Sequence, residues 1–205
     1  MAHVNLKPSK CMPNLIHVIE PYANEEERIL NVIIEINSMT INKYELITET
    51  GHLKLDRVGY SSLGYPFAYG ALPMTWDEDG DPLDVEIVNV TEPLVPGCLV
   101  EARMIGYMKF NDGGEVDDKV IAVLSDDKRM DHVKTIEDLG EHFKKETQYY
   151  WEHYKDLKKP GTCKVEGFLS IEEGKKILDE CVKRYSEEYA PKFADDCCCD
   201  EGCKC

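Results

Sequence analysis

Three aspartates fall within the six residues Asp79-Gly80-Asp81-Pro82-Leu83-Asp84, and the segment runs straight into the apolar stretch Val85-Glu86-Ile87-Val88. Asp, Gly and Pro are disfavoured inside strands and helices, so this is a loop that delivers carboxylates to the start of a strand. Crowded negative charge repels itself unless a cation neutralises it. Hard divalent ions suit such a place, because Mg²⁺ and Ca²⁺ take oxygen ligands. A solvated acidic turn is the simplest competing reading. A calcium-binding EF-hand is a second, since Thr75, Asp77, Asp79, Gly80 and Glu86 fall close to its register. Three features count against it. Thr75 stands where Asp is expected, Pro82 removes a backbone donor, and neither Tyr65-Pro66-Phe67-Ala68-Tyr69-Gly70 nor Val85-Glu86-Ile87-Val88 reads as a helix.

The rest of the chain is strand-rich at first and helical later. Residues 29–36 form a β-branched, mostly apolar strand carrying one carboxylate, Glu35. Residues 43–47 and 53–58 alternate in polarity, as half-buried strands do. Further strands are expected over 83–88, 97–110 and 119–124. The period then changes. Thr135 can cap a helix with Asp138 three residues on, and Leu139, Phe143, Thr147, Tyr150, Trp151 and Tyr154 follow at near-helical spacing before Pro160-Gly161. A short strand over 164–169 precedes a capping box, Ser170 with Glu173, and a helix with Ile177, Leu178, Cys181 and Tyr185 on one face. Many short strands followed by two helices predict a compact β-barrel with helices outside it.

The 205 residues can bury one good core, with residues 1–193 as a single domain and 194–205 as an appendage. The formal net charge of −16 argues against nucleic acid and anionic membranes as partners, because both need a basic face. It would also repel a polyanionic substrate unless metals and local Lys or Arg reverse the field in one place. Residues 1–31 carry no signal-peptide pattern, and no stretch approaches the roughly 20 apolar residues of a membrane span, so a cytoplasmic location is expected. Among nine cysteines, Cys11, Cys98, Cys163 and Cys181 are scattered, and we expect them to be reduced apolar fillers.

A second acidic run, Asn111-Asp112-Gly113-Gly114-Glu115-Val116-Asp117-Asp118-Lys119, reads by itself as a hairpin turn. Charged residues also interrupt the strands of the first third, at Glu35, Lys43, Glu45 and Arg57. Each alone is compatible with an exposed strand face, and Arg57 beside Asp56 with a surface pair worth little. Two acidic loops in one barrel could nevertheless converge on a cluster of divalent ions.

In this order the residues resemble the soluble family I inorganic pyrophosphatases. The run Asp79-Gly80-Asp81-Pro82-Leu83-Asp84-Val85 matches that family's signature at every position. The likeness continues through Val32-Ile33-Ile34-Glu35-Ile36, Lys43-Tyr44-Glu45, Asp56-Arg57, Tyr65-Pro66, Tyr69-Gly70, Asp112, Asp117, Lys119, Glu152-His153-Tyr154-Lys155-Asp156-Leu157 and Lys164-Val165-Glu166-Gly167. The resemblance implies a mainly β fold with helices, a five-stranded OB-type barrel flanked by helices. It implies Mg²⁺-dependent hydrolysis of inorganic diphosphate, with several metals per site and Mn²⁺, Zn²⁺ or Co²⁺ as substitutes. By the same resemblance Asp79, Asp84 and Asp117 would hold the first metal, and Asp84 would be shared with a second. Asp112 and Asp117 would hold a metal carried by the substrate, with Glu35 in support. Asp81 would be the general base. Lys43, Arg57, Tyr69, Tyr154, Lys119 and Lys155 would hold phosphate oxygens, with Glu45 and Tyr65 supporting them. A homo-oligomer is implied, and we expect a hexamer. One departure stands out: relatives often carry Asp-Glu where this chain has Asp112-Gly113.

Phosphoryl transfer needs mainly positioning and charge stabilisation, which this residue set can supply. A non-catalytic ion-binding barrel is the rival reading. Such a protein has no use for Lys43, Arg57, Lys119 and Lys155, and all four are present. An OB-type nucleic-acid binder is disfavoured by the acidic loops. Cys197, Cys198, Cys199, Cys203 and Cys205 crowd an acidic tail outside the resemblance. Its composition cannot bury a core, so we expect it to be disordered, with loose thiophilic metal binding, redox sensitivity or no role as the open alternatives.

Overall fold

The β-branched run at Val32-Ile33-Ile34 becomes the central strand of the molecule. A computed structural model describes residues 14–190. It opens with a one-turn helix α1 (Leu15–Val18) and strand β1 (Tyr22–Asn24), followed by the long β2 (Ile29–Ile36). A separate hairpin of β3 (Asn42–Leu46) and β4 (Leu53–Val58) follows. Next come β5 (Ala68–Ala71), β6 (Asp84–Ile87), β7 (Leu99–Asp112), β8 (Glu115–Val116) and β9 (Lys119–Leu124). Helix α2 (Glu141–His153), β10 (Cys163–Leu169) and helix α3 (Ile171–Arg184) complete the described chain. The cysteine tail and Cys11 lie outside the described residues.

Because β2 pairs with both β5 and β7, the order β2-β5-β6-β9-β7 closes into a ring of five strands. Every pair in the ring is antiparallel except β6 with β9, which run parallel. The fold is therefore mainly β with helices, as the residue pattern predicts. Among the described residues no helix is long and apolar enough to cross a membrane.

Alternation along the strands splits the interior into two cores. Val85 and Ile87 of β6 and Val120 and Ala122 of β9 join Leu30, Val32, Ile34 and Tyr107 beside Leu178 and Cys181 of α3. Ile121 and Val123, one residue out of phase on β9, join Phe67, Tyr69 and Phe110 beside Tyr150 and Trp151 of α2. The period of two thus sends neighbouring residues of one strand to different helices. Cys163 and Cys181 are buried free thiols and Cys98 is a partly exposed one, as expected for reduced fillers.

Two elements differ from the sequence expectation. The helix expected to start at Thr135 is interrupted. Residues Ile136–Leu139 form a 3₁₀ turn, in which the Asp138 carboxylate accepts from the Thr135 N–H at 2.9 Å, and α2 begins only after Gly140. Gly140 has φ +81°, a left-handed value that stops the helix and that glycine adopts without a Cβ clash. Strand β5 was not expected at all. It is only four residues long and its glycine weakens any strand pattern.

That glycine, Gly70, has a packing reason. A Cβ added there would collide with the Ile33 carbonyl oxygen and lie 3.0 Å from the Ile34 Cα. Gly70 faces Ile34 in the β2–β5 register, so the two backbones approach closely here. Gly70→Ala should destabilise the fold by about 2 kcal/mol or more, read as a lower urea midpoint with an unchanged slope.

Candidate active site

The loop over residues 75–84 is tied to itself before any ligand binds. The Thr75 hydroxyl donates to the Leu72 carbonyl at 2.6 Å and accepts from the Leu83 N–H at 2.9 Å. The Asp77 N–H donates to the Asp81 carbonyl at 2.7 Å, and the Asp81 N–H to the Asp79 carboxylate at 3.1 Å. Gly80 takes φ +91° at the tip. Thr75, the supposed first calcium ligand, is therefore a buried structural hydroxyl, and the loop leads into a strand rather than a helix.

The second acidic loop is the short hairpin between β7 and β8. Gly113 and Gly114 hold φ +69° and +107°, and the Gly114 N–H donates to the Asn111 side chain at 2.8 Å. The departure at Gly113 thus coincides with a backbone conformation that favours glycine.

Both loops open on one cavity of about 250 Å³. Every site residue named from the sequence except Lys119 lines it. Glu35 comes from β2, Lys43 and Glu45 from β3, Arg57 from β4, and Tyr65 and Tyr69 from β5 and the segment before it. Asp79, Asp81 and Asp84 come from the first loop, Asp112 and Asp117 from the second, and Tyr154 and Lys155 from the end of α2. Trp151 and Glu115 also line the cavity and were not named. The near-helical spacing of Trp151 marks it for a helix and carries no sign of a site. Glu115 lay within the second acidic run and could have been found from it. It contributes a carboxylate beside the position that Gly113 leaves bare.

Lys119 stands apart. The parallel β6–β9 register sets it opposite Asp84. Its fully buried ammonium donates to Asp84 at 2.7 Å and also pairs with Asp117. The rings of Trp151, Tyr69 and Phe110 surround it at 5.2, 5.6 and 5.6 Å. Burial alone would depress its pKa, but Asp117 and Asp84 outweigh that and hold it above the ordinary lysine range. Its ammonium faces those two carboxylates and not the cavity.

The other cations are also paired. Lys155 holds Asp112, and Lys43 holds Glu45. Arg57 donates to Asp56 at 2.7 Å. The Tyr69 hydroxyl donates to Asp84, and that of Tyr154 to Asp112 at 3.4 Å. Among the described residues no three carboxylates, imidazoles or thiols are gathered into a preformed metal cage.

The pKa pattern shows excess negative charge all the same. Glu35 is pushed up to about 8, by burial first and then by the charge of Asp84. Asp79, on the exposed tip of its loop, is pushed up to about 8 by partial desolvation against the cavity wall and then by Asp84 and Asp117. Asp117 rises to about 6, burial and Asp84 outweighing Lys119. Asp112 moves the other way: burial opposes its ionisation, but Lys155 outweighs it. Convergent carboxylate oxygens short of counter-charge are a donor set suited to hard divalent cations.

Comparison with known proteins decides the family. The inorganic pyrophosphatase family profile matches residues 32–186. The chain belongs to the inorganic pyrophosphatase family. That membership makes it a hydrolase, an inorganic diphosphatase. It is 44% identical to the inorganic pyrophosphatase of Geobacillus stearothermophilus over 163 residues, covering 80% of this chain and 98% of that one. It is 43% identical to the Neisseria meningitidis serogroup B inorganic pyrophosphatase over 161 residues, covering 78% and 90% of the two. The crystal structure of an inorganic pyrophosphatase from Neisseria gonorrhoeae superposes with a TM-score of 0.80 at 40% identity, covering 84% of this chain and 99% of that one.

The raised carboxyl groups make metal-free stability depend on pH. Between about pH 5 and about pH 8 the fold holds protons on Glu35 and Asp79 that the unfolded chain releases. Their stabilising contribution is complete below the unfolded values and is lost as pH rises through about 8. We expect the urea midpoint of the metal-free pyrophosphatase to fall across this window. Glu35→Gln, which keeps the oxygen that accepts from the Leu46 N–H at 2.6 Å, should flatten the fall. An identical slope in the variant would refute this account.

Proposed function

We propose that this pyrophosphatase hydrolyses inorganic diphosphate to two orthophosphates with Mg²⁺ as cofactor, Mn²⁺, Zn²⁺ or Co²⁺ being possible substitutes. The observation that carries the reading is one cavity lined by Asp79, Asp81, Asp84, Asp112 and Asp117 together with Lys43, Arg57, Tyr154 and Lys155. Carboxylates alone would suit an ion binder; the added cations suit a phosphate.

In this reading Asp79, Asp84 and Asp117 would hold the first metal, Asp84 would also serve a second, and Asp112 with Asp117 would hold the metal that accompanies the substrate. Glu35 supports that last position. When bound, the metals neutralise diphosphate charge and lower the pKa of a bound water. Asp81 accepts the proton of the attacking water. Partial desolvation, then Asp84 and Glu45, raise its pKa from the ordinary aspartate value, which makes it a stronger base. Arg57 offers its planar fork to two phosphate oxygens, while Lys43 and Lys155 act as point charges. Tyr69 and Tyr154 donate hydrogen bonds without adding charge. For Lys119 the contacts favour a further duty, holding Asp84 and Asp117 in place. Glu45 and Tyr65 support Lys43 and the cavity wall. We read the five-stranded ring as the OB-type barrel, the location as cytoplasmic and the assembly as a homo-oligomer, a hexamer.

Orthophosphate release from diphosphate tests the reading. Release should require millimolar Mg²⁺, and Asp81→Asn should reduce kcat by about 10²- to 10⁴-fold with the fold intact by circular dichroism. Persistent release in Asp81→Asn would place the base elsewhere. No release from the intact, folded chain would leave a barrel that only binds ions.

A further inference from the structure

The acidic loop over residues 75–84 is held from behind by α1, which precedes the family match at 32–186, and by the end of α3, whose last turn carries Tyr189 just beyond that match. From the N-terminal side, the Ile16 carbonyl of α1 accepts from the Met74 N–H at 2.9 Å. Met74 has φ +52°, a left-handed value that costs a side-chain-bearing residue energy and that its surroundings must enforce. From the C-terminal side, α3 runs into a π-helical turn, Tyr185–Tyr189. The ring of Tyr189 stacks on Trp76 with centroids 3.5 Å apart and planes 21° from parallel.

Trp76 is fixed at its backbone as well. Its N–H donates to the Cys181 carbonyl at 3.0 Å, and its carbonyl accepts from the Arg184 guanidinium at 2.7 Å. The same guanidinium lies 3.7 Å from Asp77 and 3.6 Å from Glu78. His17 joins the two terminal segments. One ring nitrogen is 2.8 Å from the Tyr185 hydroxyl and the other 2.8 Å from the Thr48 carbonyl, just beyond β3. The His17 ring also lies against Tyr189, with centroids 5.8 Å apart.

Two residues, Asp77 and Glu78, separate Trp76 from Asp79. We propose that the stack of Tyr189 on Trp76, braced by Arg184 and His17, is a clamp that positions the acidic loop and sets the Mg²⁺ affinity of the site. Tyr189 and Trp76 are positioning residues in this account and touch no reacting atom. The physical reason is the self-repulsion of the carboxylates. Asp79 and Asp84 crowd one cavity with Asp117, a charge that Lys119 offsets only in part, and the hydrogen bonds inside the loop together with the anchors behind it keep the loop in its binding shape. A loop that is folded for part of the time binds metal more weakly by that fraction. Once metal saturates the site, the carboxylates are neutralised and the clamp is dispensable. The inference therefore rests on the metal-site reading above and adds a determinant carried by the flanking segments.

The test compares the full chain with Tyr189→Ala and Tyr189→Phe. Mg²⁺ binding is measured by calorimetry on metal-free protein, and orthophosphate release is followed over a Mg²⁺ titration. Tyr189→Ala should weaken Mg²⁺ binding and raise half-saturating Mg²⁺ by about three- to tenfold. Its kcat at saturating Mg²⁺ should stay within about twofold of the full chain. Tyr189→Phe keeps the ring and loses only the hydroxyl, which bonds to Thr48, so its half-saturating Mg²⁺ should stay closer to that of the full chain than to that of Tyr189→Ala. Tryptophan emission of the metal-free protein should change in Tyr189→Ala and not in Tyr189→Phe, with Trp76→Phe identifying the share of Trp76. Equal Mg²⁺ affinity in Tyr189→Ala and the full chain would overturn the clamp, whether or not either releases orthophosphate. A loss of kcat at saturating Mg²⁺ without a shift in the Mg²⁺ requirement would overturn it too. A full chain that binds Mg²⁺ but releases no orthophosphate would count against the diphosphatase reading alone.

Discussion

The buried ammonium of Lys119 is the interaction on which the site depends. It joins Asp84 at the end of the first acidic loop to Asp117 at the end of the second. The parallel pairing of β6 and β9 makes this possible, because it sets Asp84 and Lys119 side by side on neighbouring strands. Three aromatic rings surround the ammonium and keep water from it, which strengthens the charge pairs and makes any unpaired partner expensive. Removing one member of a buried ion pair typically costs roughly 3–5 kcal/mol. Such a residue is well placed to hold two loops in register.

The chain as a whole carries a formal charge of −16 and yet belongs to a family acting on a polyanion. Locally the structure balances that charge. Lys43, Arg57 and Lys155 all line the cavity. Each of them is paired with a carboxylate. In the proposed reading a carboxylate committed to metal no longer holds its lysine. Lys155, paired with Asp112 here, would then be released towards phosphate. Glu35 and Asp79 have pKa values raised to about 8, by desolvation first and by the charge of Asp84 second. The three observations describe one property: a site whose cations and anions are matched only in part, leaving room for divalent charge.

Much of the fold was legible because burial imposes periodicity. Residues Ile29–Ile36 are almost wholly apolar because both faces of β2 are covered. The Ser170–Glu173 capping box stands where helix α3 begins, each side chain bonded to the other's backbone N–H. What the residues hid were elements with little pattern to show. Strand β5 has four residues and a glycine, so alternation could not reveal it. The break at Gly140 was masked by apolar spacing that continues on either side of it. Most candidate site residues were legible through their order and resemblance rather than through any single motif. Glu115 and Trp151 were not, since an acidic residue in a turn and an aromatic residue on a helix each have an ordinary explanation.

By itself the sequence determined the chemistry available to this protein: two carboxylate-rich loops, the lysines and arginine between them, and strands long enough to carry both. It did so because turn residues, charge and hydrophobic period are local properties. Only the tertiary structure decided which of these groups meet. The ring closure through β2 and β7 brought distant loops to one cavity. The parallel β6–β9 register turned Lys119 inward to the carboxylates. The terminal segments put Tyr189 against Trp76 behind the first acidic loop. Contacts between residues far apart in the chain depend on strand register and helix docking, and neither can be read from the spacing of residues along one segment.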